Sequence, residues 1–135
     1  MRALSVVAEK NKLKTICHLL TGYAVAAGLL TEYEAMRHAG RHLVSNIMGS
    51  ETMEVYIGKP MALAVRDTVV IASDGLYDNL LSAGVVTLAC RGTIDEACRS
   101  LVDTATKRMD YCGNGHPSKP DVLTVLLYRQ HRKPS

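Results

Sequence analysis

From Arg66 to Leu80 the chain reads Arg-Asp-Thr-Val-Val-Ile-Ala-Ser-Asp-Gly-Leu-Tyr-Asp-Asn-Leu, and no other run constrains the fold as much. Thr68 to Ala72 is a short β-branched apolar segment of the kind that fills a sheet on both faces. It ends on Ser73-Asp74-Gly75, so a buried strand delivers a carboxylate straight into a turn that glycine permits. A carboxylate on so rigid a platform can ligate a metal. It can equally cap the helix that Leu76, Leu80 and Leu81 announce by their spacing, and this segment alone leaves both readings open.

A second acidic residue shifts the balance. Ser118-Lys119-Pro120-Asp121 leads into the apolar run Val122 to Tyr128, which places Asp121 at the start of another strand. If the two strands are antiparallel neighbours, the end of one lies beside the start of the other, and Asp74 and Asp121 meet. Converging carboxylates repel unless a cation or a proton sits between them. Oxygen donors without a matching His or Cys set favour Mg²⁺ or Mn²⁺ over Zn²⁺.

These residues resemble the protein phosphatase 2C family, the metal-dependent serine/threonine phosphatases. Ser73-Asp74-Gly75-Leu76-Tyr77-Asp78 and Pro120-Asp121-Val122-Leu123-Thr124 look like its two C-terminal signature motifs. Thr15-Ile16-Cys17-His18, Gly28-Leu29-Leu30-Thr31, Glu34-Ala35 and the run Arg41 to Ser50 are similar, in order, to the family's central segment. The resemblance spans roughly residues 12 to 130 and implies an α+β fold, an antiparallel β-sandwich flanked by helices, of which residues 1–135 would be the C-terminal half, a partial domain. It also implies two Mg²⁺ or Mn²⁺ ions in the complete domain, bridged by a water that attacks the phosphorus of phosphoserine or phosphothreonine in a protein substrate. Asp74 and Asp121 would be metal ligands, with Gly75 and Asp78 in supporting positions around them; no catalytic residue beyond the ligands is expected.

The departures from the family pattern are specific. Its N-terminal Asp-Gly-His-Gly turn and early phosphate-holding Arg have no counterpart, and Gly113-Asn114-Gly115-His116 reads as a flexible loop. Val122 stands where the family has a polar residue after its last ligand, which removes a group that would orient Asp121. Two carboxylates supply too few oxygens for a pair of near-octahedral ions. At most one weakly bound ion and little or no turnover are therefore expected of this chain by itself. The competing class is a non-catalytic, pseudophosphatase-like module that binds a partner. Half a sandwich leaves apolar sheet surface and strand edges uncovered, which predicts self-association or a complementary N-terminal half.

Composition narrows the other classes. The net charge is only +3, with no Trp and no Phe, so a nucleic-acid interface is not expected. Arg129, His131, Arg132 and Lys133 read as a solvated basic tail. No apolar run approaches the roughly 20 residues that span a bilayer, and the N-terminus has no leader pattern, so no membrane partner and a cytoplasmic location are expected. Cys17, Cys90, Cys98 and Cys112 show no C-x-x-C spacing and are expected to be reduced, Cys90 and Cys98 packing as small hydrophobes. Cys112 and His116 fall short of a zinc set.

Ala3 to Ala8 reads either as a strand whose partner is missing or as a start that does not pack. Thr31-x-x-Glu34 and Thr93-x-x-Glu96 are capping boxes, each opening a helix. Arg37, His38, Arg41 and His42 read as a solvated face rather than a phosphate grip. Thr52 to Gly58 alternates as a one-sided strand does, and Met61 to Val65 continues it. Asp78 reads as first-turn helix charge or as a group near the ion. Ser73 lacks a hydrolase-elbow context and is no nucleophile.

Overall fold

The computed structural model describes residues 3–7, 11–111, 115 and 118–130, the backbone alone at 3–7 and 11. In chain order the elements are β1 (Ala3–Val7), β2 (Asn11–Lys14), α1 (Leu20–Ala26), α2 (Glu32–Arg37), β3 (Thr68–Ala72), α3 (Asp74–Tyr77), α4 (Ser82–Ala89), α5 (Ile94–Asp110) and β4 (Val125–Arg129). They fall into two compact units, residues 16–62 and the remainder.

The larger unit is built on a four-stranded sheet in the order β2-β1-β3-β4. Each neighbouring pair is antiparallel. β3 is therefore a central strand, as its apolar run requires, and its alternation puts Thr68, Val70 and Ala72 on the covered face. β4 pairs with it in the register Val70↔Leu127 and Ala72↔Val125. α4 and α5 cover that face, and Val70, Ala72, Leu76, Tyr77, Leu80, Val85, Ala89, Leu101 and Ala105 close the core. α5 carries the period expected from Ile94 onward, burying Ala97, Leu101 and Ala105 and leaving charge outside. Its capping box forms as read, with Thr93 Oγ1 accepting from Glu96 N–H at 3.3 Å and the Glu96 carboxylate accepting from Thr93 N–H at 2.7 Å.

Arg129 is no part of a solvated tail. Its guanidinium donates to Thr68 Oγ1 at 2.9 Å, Gly92 O at 2.8 Å and Ala89 O at 2.7 Å. Ala89 O belongs to the last turn of α4, where carbonyls lack intrahelical partners and positive charge is favoured, and Gly92 O lies in the turn just beyond it. His131, Arg132 and Lys133 lie outside the described residues.

The N-terminal run also differs from expectation. Ala3–Val7 is a strand with partners on both edges, β3 in the register Leu4↔Ile71 and β2 across a bulge at Val6/Val7. Its partner in β3 lies so far along the chain that local pattern could not assign it. Between β2 and β3, Asp67 is buried at 1% exposure and is held by Lys12 Nζ at 2.6 Å and Ala64 N–H at 2.8 Å. The Lys12 ammonium first, and the Ala64 amide second, hold its carboxyl below the usual range.

In the smaller unit, α1 ends in a Schellman arrangement: Gly28 takes φ +73° while its N–H reaches Val25 O at 3.0 Å and Leu29 N–H reaches Ala24 O at 2.8 Å. α2 begins at the Thr31/Glu34 capping box, which forms as expected. It ends at Arg37, so Arg37, His38, Arg41 and His42 do not share one helix. Arg37 donates to Tyr33 Oη at 2.7 Å and Arg41 to Met36 O at 2.7 Å, which separates them into local contacts. The strand expected over Thr52 to Gly58, with its continuation over Met61 to Val65, does not form. Glu54 instead gives both its backbone groups to the Asn46 amide, at 2.7 and 3.2 Å, and Val55, Tyr56 and Ile57 stay exposed. Side-chain alternation without a ladder partner is not enough to make a strand.

Candidate functional site

The β3–β4 register carries the site. Beyond Ala72↔Val125 the pairing continues through Ser73 N–H to Thr124 O at 3.0 Å. The Ser73 hydroxyl then accepts from Thr124 N–H at 2.9 Å and donates to Val122 O at 2.8 Å, stitching the end of one strand to the approach of the other. Ser73 is thus committed to the backbone. Asp74, the next residue, opens α3, and Asp121 stands just before Val122, so both acidic residues lie at the same end of the sheet.

Gly75 is needed here for close approach. A Cβ at this position would lie 2.5 Å from Val122 O, well inside contact distance. Its φ is not positive, so the glycine admits the backbone of 122–123 against α3 and is not required for the turn itself.

Asp78 is the C-cap of α3, not a first-turn residue, and helix-dipole stabilisation does not apply to it. It is buried at 6% exposure, and its Oδ2 lies 2.8 Å from Lys119 Nζ. The same ammonium lies 3.2 Å from Asp121 Oδ2, while Asp121 Oδ1 accepts from Val122 N–H at 2.8 Å. Asn79, fully buried, fixes this loop: its amide accepts from Lys119 N–H at 2.8 Å and donates to Lys119 O at 2.9 Å and Gly75 O at 2.9 Å. Arg108 of α5 donates to Asn79 O at 2.8 Å. Neither Asn79 nor Lys119 stands out in the sequence as a site residue. The available signal was Lys119-Pro120 directly before Asp121, and an Asn directly after Asp78.

Among the described residues no group of three or more His, Cys, Asp or Glu side chains is placed to hold a metal ion. Asp74 and Asp121 do not complete a Mg²⁺ or Mn²⁺ site by themselves, since either ion needs several fixed oxygens and Asp121 is already engaged by Lys119. Cys17 and Cys98 are half-buried, and Cys90, expected to pack inside, is exposed at the end of α4. Cys112 and His116 lie outside the described residues, as do Gly113 and Asn114. No helix among the described residues is long and apolar enough to cross a membrane.

This fold is that of serine/threonine phosphatases of the PPM type, which the chain matches in structure over most of its own length and about half of theirs, as a C-terminal half does. The S. agalactiae serine/threonine phosphatase is 25% identical with a TM-score of 0.69, over 96% of this chain and 51% of that one. The PPM Ser-Thr phosphatase MsPP of Mycobacterium smegmatis, solved in complex with cacodylate, is 27% identical with a TM-score of 0.61, over 78% of this chain and 46% of that one. The Mycobacterium tuberculosis phosphatase PstP/Ppp shares the fold at a TM-score of 0.73 and 20% identity, over 96% of this chain and 52% of that one. No protein-family model matches the sequence, and no curated protein sequence matches it.

Proposed function

We propose that residues 1–135 form the C-terminal half of a domain that hydrolyses phosphoserine and phosphothreonine in proteins with Mg²⁺ or Mn²⁺. The observation that carries this is the antiparallel β3–β4 pair, which brings Asp74 and Asp121 to one end of the sheet beside the Ser73 stitch. In this reading both aspartates are ligands whose remaining partners come from a complementary N-terminal half. When bound, the metal supplies a polarised water and charge neutralisation at the phosphoryl oxygens. This chain's own part is to hold its two carboxylates at fixed positions. Gly75 allows the strands and α3 to close up, and Asn79 clamps the loop before Asp121.

The sheet supports the sandwich that goes with this reading. Ile71 pairs with Leu126 and Val69 with Tyr128 on the face opposite α5, and Leu126 and Tyr128 are 54% and 52% exposed. A second sheet from the complementary half would cover that face. The alternative is a non-catalytic module that docks a partner on the same exposed face.

A chimera tests the first reading against the second. This chain replaces the corresponding half of the S. agalactiae phosphatase, and phosphopeptide hydrolysis is followed with Mn²⁺. Turnover that is lost in D74N and in D121N supports the phosphatase reading. A folded chimera whose activity is indifferent to both substitutions sinks it. The 135-residue chain alone is expected to be inactive.

A further inference from the structure

Lys119 brings a positive charge to the point where a phosphatase half would present an open carboxylate. One ammonium serves two carboxylates, 2.8 Å from Asp78 Oδ2 and 3.2 Å from Asp121 Oδ2. The lysine is held at its root. Its backbone N–H and C=O are both taken by the buried Asn79 amide, and Pro120 restricts the link onward to Asp121. The two carboxylates are unequal partners. Asp78 is buried, where a charge is costly without a partner, whereas the Asp121 side chain is 30% exposed. The ammonium is therefore anchored on the Asp78 side and shared with Asp121.

We propose that Lys119 is a built-in counterion that takes a metal ion's place at Asp121, so that a divalent cation reaches this carboxylate only by driving the ammonium back onto Asp78. The proposal rests on the reading of Asp121 as a ligand. A dication and an ammonium within a few ångströms of each other repel strongly, so occupancy of Asp121 by the two is competitive. Lys119 then sets the ion concentration at which this half is loaded. It also offsets part of the negative charge at this acidic end before any complementary half arrives.

The test titrates the full 135-residue chain with Mn²⁺ and reads bound ion by water-proton relaxation, which needs no turnover. K119Q is expected to lower the half-saturating Mn²⁺ concentration by about tenfold or more, and K119R to leave it near the wild-type value. K119Q leaves Asp78 buried beside a neutral amide, so D78N/K119Q is measured beside it, with thermal melting to confirm folding, and is expected to show the same gain. Binding that D121N abolishes, but that is equally tight in wild type, K119Q and D78N/K119Q, overturns the role of Lys119 and leaves Asp121 a ligand. Absence of binding in all of them, K119Q included, overturns the role of Lys119, since removal of the ammonium then opens no ion site at Asp121, and leaves the ligand reading to the chimera.

Discussion

At the scale of single residues, the candidate site depends on contacts that admit no larger or shorter side chain. Gly75→Ala puts a methyl against Val122 O at 2.5 Å, where the obstruction is backbone on both sides. A loss of about 2 kcal/mol or more is expected in urea unfolding, in the range of overpacked cores. Asn79→Ala strands the buried backbone groups that its amide satisfies, and about 1–3 kcal/mol should go with them. Asn79→Asp should fail as well, since a carboxylate cannot donate to Gly75 O and Lys119 O. Asp74 and Asp121 stood out in the sequence because each adjoins an apolar run with clear strand character. Lys119 did not, because a lysine before Pro-Asp is unremarkable until the fold brings Asp78 beside it.

Elements depend on their ends and on the charges that fix them. Thr93→Ala removes the hydroxyl that accepts from Glu96 N–H and should cost about 1 kcal/mol of thermal stability, with the change read by circular dichroism of α5. The loop before β3 gives a pH signature. Asp67 has its folded carboxyl below the unfolded value of about 4, so its contribution is present above that pH and is lost as pH falls through the folded value. Asp67→Asn should flatten the acid limb of the stability curve below about pH 4, with little change in its shape between pH 5 and 8. Both capping boxes and the period of α5 were legible because they are local. Over Thr52–Gly58 and Met61–Val65 the expectation of strand fails because period 2 reports only which side chains alternate, and the Asn46 amide has the stronger claim on the Glu54 backbone.

For the whole molecule, the sheet face left by Leu126 and Tyr128 governs behaviour in solution. Exposed apolar residues on an edge strand promote pairing with a second copy, so concentration-dependent self-association is expected in sedimentation velocity. Leu126→Lys with Tyr128→Lys should return the chain to a monomer without lowering its melting temperature by more than a few degrees. β3 and β4 were legible as strands and their antiparallel pairing as a condition of the site, whereas β1 as an inner strand was not, since its pairing with β3 joins residues far apart in the chain.

That arrangement governs when the molecule can be completed. β3 pairs on one edge with Ala3–Val7 and on the other with Val125–Arg129, and the Arg129 guanidinium closes the end of α4. As the polypeptide leaves the ribosome, the early strand must wait for the middle one, and the middle one for the last. Assembly of this sheet therefore waits until Val125–Arg129 has been made, and in the interval its unpaired edges are open to chaperones or to neighbouring nascent chains.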